Sequence, residues 1–139
     1  MPDILSKKSI LIMYQNNRQD FDMRSLKGDG VLCISKEPVF LNGASFIMTM
    51  FYGFEGLEHV SMVATAMQSD DRYRGLKPGH IHDAWLKDTC SSKGIMTQFG
   101  IKYAENGYEV YSEHDKFNHN DVILIRYKNQ PADDGGNES

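Results

Sequence analysis

Short apolar runs alternate with polar turn clusters along most of this chain, the pattern of many short strands rather than a few long helices. Residues 9–15 carry an Ile- and Leu-rich run that stops at Asn16, Asn17 and Arg18, which predicts a first strand closed by a turn. Gly28, Asp29 and Gly30 form a turn ahead of a second apolar run at 31–34, and Pro38 turns the chain again. Residues 39–41 lead into Asn42-Gly43, a strong hairpin signal. Beyond it Phe46, Met48 and Met50 alternate with Ile47, Thr49 and Phe51; both sets are largely apolar, which predicts a strand covered on two sides.

Residues 57–68 fit two templates. Val60, Val63 and Met67 make a helical stripe, whereas Val60, Met62, Ala64 and Ala66 alternate; the recurring β-branched residues and the preceding Gly53 and Gly56 favour a strand. Residues 69–79 read as a polar surface loop closed by Pro78-Gly79, and residues 82–90 as one or two helical turns with Ala84, Trp85 and Leu86 on the apolar side. The clearest element is a hairpin over 95–112, with Asn106-Gly107 as a two-residue type I′ turn. That turn sets Tyr103 opposite Val110 and Ile101 opposite Ser112, and directs Phe99, Ile101, Tyr103, Tyr108 and Val110 to a core face. A last buried strand is expected at 122–125. The predicted fold is therefore all-β or β-rich, a β-sandwich of seven to eight short strands with one or two short helical segments.

At 139 residues the chain has the size of one domain, here assigned to residues 1–128, with 129–139 as a disordered acidic C-terminal tail. Fifteen lysines and arginines face 19 acids, three of them in the last seven residues, so the rest is nearly balanced. No global basic field exists to drive nucleic-acid binding, and an anionic partner must be met by a local patch. Cys33 and Cys90 match no metal or redox spacing and read as ordinary thiols in a reducing compartment. The N-terminal segment resembles neither a signal peptide nor a membrane span, so any membrane contact is expected to be peripheral.

Three groups of residues could carry chemistry. Arg72, Tyr73, Arg74 and Lys77 put cations beside an aromatic ring on a predicted exposed loop, a combination that can neutralise phosphates and stack on a base. Lys7 and Lys8, just before the first apolar run, could extend that patch; their plainer role is a frayed N-terminal arm. The segment Gly79-His80-Ile81-His82-Asp83 would, on a strand, point His80 and His82 the same way toward a shared metal, with His114 and Asp115, or His119 and Asp121, completing the site. Cys90 beside one of these histidines could form a thiolate pair, although no catalytic signature surrounds it.

Val31-Leu32-Cys33-Ile34-Ser35-Lys36-Glu37-Pro38, about twenty residues after the first apolar run, resembles a strand and its KEP turn in the small bornavirus matrix protein. Glu55, His59, Val60, Ser61 and the closing Gln68-Ser69-Asp70-Asp71 are similar in order and spacing to a later part of that family, as is Ile125-Arg126-Tyr127-Lys128-Asn129 to its last strand. The resemblance covers about half the chain and leaves out everything between Arg72 and His119, so no functional residue there is carried over. It implies a β-sandwich protein that forms a homo-oligomer, possibly a tetramer, on the inner face of a viral envelope. The same resemblance implies contact with the anionic inner membrane leaflet and with single-stranded RNA or nucleocapsid, in the virion and in the host cytoplasm or nucleus.

The expectation is thus a non-enzymatic viral matrix-type structural protein that self-assembles and bridges membrane and ribonucleoprotein, with no cofactor and no small-molecule substrate. The alternatives are a small β-rich binding module, or a metal-dependent hydrolase using His80, His82, Asp83 and His114 or His119.

Overall fold

The computed structural model describes residues 3–67, 70–115, 117 and 120–128. The acidic tail expected at 129–139, and His119, lie outside the described residues. In chain order the elements are α1 (Lys7–Asn16), β1 (Phe21–Ser25), β2 (Val31–Ser35), β3 (Val39–Leu41), β4 (Ala44–Gly53), β5 (Gly56–Ala64), α2 (Pro78–Thr89), β6 (Ile95–Thr97), β7 (Gly100–Glu105), β8 (Tyr108–Asp115) and β9 (Asn120–Tyr127). Single 3-10 turns lie at Arg18–Asp20 and Asp71–Tyr73.

The chain is strand-rich, as its pattern predicts. Among the described residues nine strands hydrogen-bond into one antiparallel sheet in the order β1-β2-β4-β5-β9-β8-β7-β6, with β3 also paired to β4. Because the strands share one sheet, the layer packed on it is made of α1 and α2 rather than a second sheet. Phe46, Met48, Met50, Val60, Met62, Val110, Ile123 and Ile125 are fully buried beneath the helices. The opposite face is open: Ile47 is 37% and Val63 40% exposed, which corrects the expectation that the Phe46 strand is covered on both sides.

Residues 9–15 are helical, not a strand. Ser6 caps α1 by accepting the Ser9 N–H through its hydroxyl at 3.2 Å, which offsets the loss of a backbone partner at the helix start. One turn on, Ile10 is fully buried, with Leu11, Met13 and Tyr14 packed against the core. Burying a side chain such as Ile10 is worth about 1.5–3 kcal/mol, enough to override the β propensity of the run. Lys7 and Lys8 therefore sit in the first turn of a helix and not on a frayed arm.

The hairpin after Gly100 has the predicted register, Tyr103 against Val110 and Ile101 against Ser112. Its strand does not run unbroken from residue 95, however. Gly100 adopts φ 132°, where a Cβ would lie 2.0 Å from the Ser112 carbonyl oxygen, and β6 folds back on β7 there. Phe99 consequently lies on a turn, 63% exposed, instead of in the core. Only Gly107 of the Asn106-Gly107 pair has positive φ, so this turn is not type I′; Asn42 (φ 46°) and Gly43 (φ 86°) supply the left-handed pair, between β3 and β4. Of the segment 57–68, open between two templates, residues 57–64 are strand, as the glycines and β-branched residues favour, whereas 65–67 are not and 68 lies outside the described residues.

Candidate functional site

The histidine segment belongs to α2, which begins earlier than its apolar residues suggest. Pro78 occupies the first helical position, where its missing N–H costs nothing and its fixed φ suits the helix. Ile81, Trp85 and Leu86 are buried; the Trp85 indole N–H donates to the carbonyls of Leu41 (3.0 Å) and Asn42 (3.2 Å) and its ring meets Phe46 edge-on at 4.8 Å. On a helix, residues two apart diverge by about 200°, so His80 and His82 do not share a ligand as they would on a strand. His80 is exposed, whereas His82 is fully buried.

His82 is a core residue. Its Nε2 accepts the Ala64 N–H at 2.9 Å, and burial pushes its pKa down to about 4. The proton then resides on Nδ1, which has no hydrogen-bond partner among the described residues.

What the fold does assemble is a polar cluster where the start of α2 meets the ends of β8 and β9. His114 Nδ1 lies 2.5 Å from Asp121 Oδ1, and His114 Nε2 lies 3.2 Å from Asp83 Oδ1. The Ser112 hydroxyl donates to Asp83 at 2.5 Å and stands 3.4 Å from His114 Nε2. Burial lowers the His114 pKa, but hydrogen bonds to Asp121 and Asp83 outweigh it and the net shift is upward. Asp83, His114 and Asp121, with Lys77, Gly79 and His80, line a cavity of about 310 Å³; Ser112 is not part of its lining.

Serine, histidine and aspartate stand here in the order that nucleophilic catalysis uses. Ser112 is nevertheless fully buried and its proton is committed to Asp83, so the hydroxyl offers no path to an acyl substrate. Among the described residues no group of three or more His, Cys, Asp or Glu side chains is arranged to hold a metal. Cys90 is no thiolate at neutral pH, since burial pushes its thiol up to about 12. The cluster is best read as a clamp joining two strands to a helix. Asp83, His114 and Asp121 were each legible as candidates, but Ser112 was missed; its signal is the strand spacing that puts it two residues before His114 on the same face.

The basic loop folds differently from its expectation. Tyr73 is fully buried, its hydroxyl donating to Asp88 at 2.7 Å, so its ring presents no face for a base. Arg72 bonds Asp70 at 2.8 Å and Asp88 at 3.2 Å, and Arg74 pairs with Asp71 at 2.9 Å, which leaves both cations locally neutralised. Lys77 forms no ion pair among the described residues.

Lys7 and Lys8 lie elsewhere. They border a groove with Lys128 and Tyr108, while Lys77 borders the cavity at His114. Tyr108 and His114 are six residue steps apart on β8, about 20 Å at about 3.3 Å per residue, so the six cation-patch residues are not brought into one surface. α1 instead makes its own. It carries no acid, and Lys7 and Lys8 share a second shallow groove with Leu11 and the half-exposed Ile12. Alongside, Leu11, Tyr14, Met23, Cys33 and Tyr52 line an apolar groove of about 460 Å³ with Arg18 at its edge.

No family model, curated protein or solved structure matches this chain. Among the described residues no helix is long and apolar enough to cross a membrane.

Proposed function

We propose that this chain is a non-enzymatic assembly protein of viral matrix type, which lies against an anionic membrane leaflet through α1 and self-associates to link that surface to ribonucleoprotein. The observation that carries this reading is the outer face of α1, where Lys7 and Lys8 stand beside Leu11 and Ile12 with no acid on the helix. Lysines near an anionic leaflet contribute about 1 kcal/mol each, and adjacent apolar side chains add insertion at the headgroup boundary. Lys128 adds a third cation beside Lys7 and Lys8. The resemblance at 31–38 and 125–129 supports the matrix-type assignment, and with it the RNA partner and the virion setting. Self-association is supported by the edge strand β6, where Ile95 is 62% and Met96 75% exposed.

Vesicle flotation tests the reading. Binding is expected to phosphatidylserine-containing vesicles at about 50 mM salt, to fall steeply by about 500 mM, and to be lost in Lys7→Glu/Lys8→Glu. Equal binding to neutral phosphatidylcholine vesicles, or none to either, overturns it.

A further inference from the structure

The apolar groove between α1 and the β1–β2–β4 corner has four polar side chains in its lining, Tyr14, Gln15, Arg18 and Tyr52, of which only Arg18 is charged. Its lining contains no Asp or Glu. Arg18 borders it and makes no ion pair among the described residues. Tyr14 and Tyr52 bring two phenol groups to the same wall; their rings lie 6.3 Å apart, and the Cys33 thiol at the groove floor donates to the Tyr14 oxygen at 3.7 Å. The Tyr14 oxygen is thus already an acceptor, which leaves its own O–H to donate, and no acceptor among the described residues takes the O–H of either tyrosine. Burial raises both phenols, Tyr52 to about 12, so both remain protonated donors at neutral pH. The Arg18 charge acts on Tyr14 in the opposite sense, which places the guanidinium beside that hydroxyl.

Donors without a counter-charge, set at one edge of an apolar slot, match an anionic head carried on a hydrocarbon chain. We propose that this groove binds a single-chain amphiphilic anion, a long-chain carboxylate, with its head at Arg18, Tyr14 and Tyr52 and its chain along Leu11 and Met23. The groove volume of about 460 Å³ is in the range of sites that enclose small organic ligands. A neutral or cationic head would leave Arg18 unpaired or repel it. The inference goes beyond membrane docking and does not rest on it, because Lys7 and Lys8 do not line this groove.

Titration calorimetry of the full chain with laurate below its micellar concentration tests the site, with dodecanol and dodecylammonium as matched chains. Saturable one-to-one binding of laurate is expected, at least about tenfold tighter than either control, because the head must pair with a cation. Arg18→Gln is expected to weaken laurate about tenfold or more, and Met23→Trp, at a position 62% exposed, to fill the slot and abolish binding without changing the melting temperature. Lys7→Glu/Lys8→Glu is expected to keep laurate binding while losing vesicles, so the two proposals fail separately. Absence of saturable laurate binding, equal binding of the ammonium, or indifference to Arg18→Gln overturns the assignment.

Discussion

His114 and Asp121 are cross-strand partners in the β8–β9 ladder, and their side chains meet at 2.5 Å, Nδ1 to Oδ1. With Asp83 on the other ring nitrogen, the imidazole fastens α2 to both strands. The net upward shift of the His114 pKa fixes the sign of its pH dependence. The extra stability is complete below the unfolded-state value of about 6.5 and is lost as pH rises through the higher folded value. His114→Gln is therefore expected to cost more at about pH 5.5 than at about pH 8.5 in urea denaturation. An equal loss at both pH values would show that the ring acts by packing alone.

His82 behaves in the opposite sense. Its pKa is depressed to about 4, so the unfolded chain takes up a proton between about pH 6.5 and 4 that the folded chain refuses. Stability contributed by the neutral ring is intact above that window and falls through it, by up to about 3 kcal/mol. His82→Gln keeps an acceptor for the Ala64 N–H and removes the titration. Its melting temperature is expected to fall less than that of the parent between pH 6.5 and 4; parallel acid limbs would assign the titration elsewhere.

These two histidines also show where the sequence is legible. Elements fixed by local chemistry could be read directly: the turns at Asn42-Gly43 and Gly107 carry the positive φ that only such residues adopt readily, and the Tyr103 to Val110 register follows from the loop length. Elements decided by packing could not. Ile10 to Met13 is as apolar as a strand, and only the Ser6 cap and the burial of Leu5 and Ile10 make it a helix. Pro78 reads equally as the end of a loop or the first residue of a helix, and that one choice decides whether His80 and His82 converge or diverge. Tyr73 looked exposed because its neighbours are charged; its hydroxyl found Asp88, fifteen residues away, a contact no local pattern reveals.

Gly79 is expected to be intolerant for a reason unrelated to its backbone. In an ordinary helical position Gly→Ala stabilises by about 1 kcal/mol. A Cβ on Gly79, however, would lie 2.8 Å from Asp121 Cγ, and Asp121 is held in place by His114. Gly79→Ala should therefore destabilise by about 1–3 kcal/mol, the usual cost of overpacking. In the Asp121→Ala background the cost should shrink or reverse, a coupling that a double-mutant cycle measures. Additive effects would mean that α2 does not rest on this carboxylate.

The sheet's two terminal strands are protected unequally. β1 carries Asp22 and Arg24, both exposed, charges of the kind that discourage another strand from pairing. β6 has none, and residues 94–101 contain no charged side chain at all. Antiparallel pairing of β6 with its copy across a two-fold axis places Met96 against Met96, with Ile95 facing Thr97, and no like charges meet. Ile95 and Met96 would then leave solvent, which adds apolar burial to the backbone hydrogen bonds gained. The parent chain is expected to gain mass with concentration in light scattering. Met96→Lys would set two like charges side by side on the axis, and should shift the same protein to monomer without lowering its melting temperature. Unchanged mass in Met96→Lys would move self-association to another surface, and a parent that stays monomeric at every concentration would remove it from the proposed function.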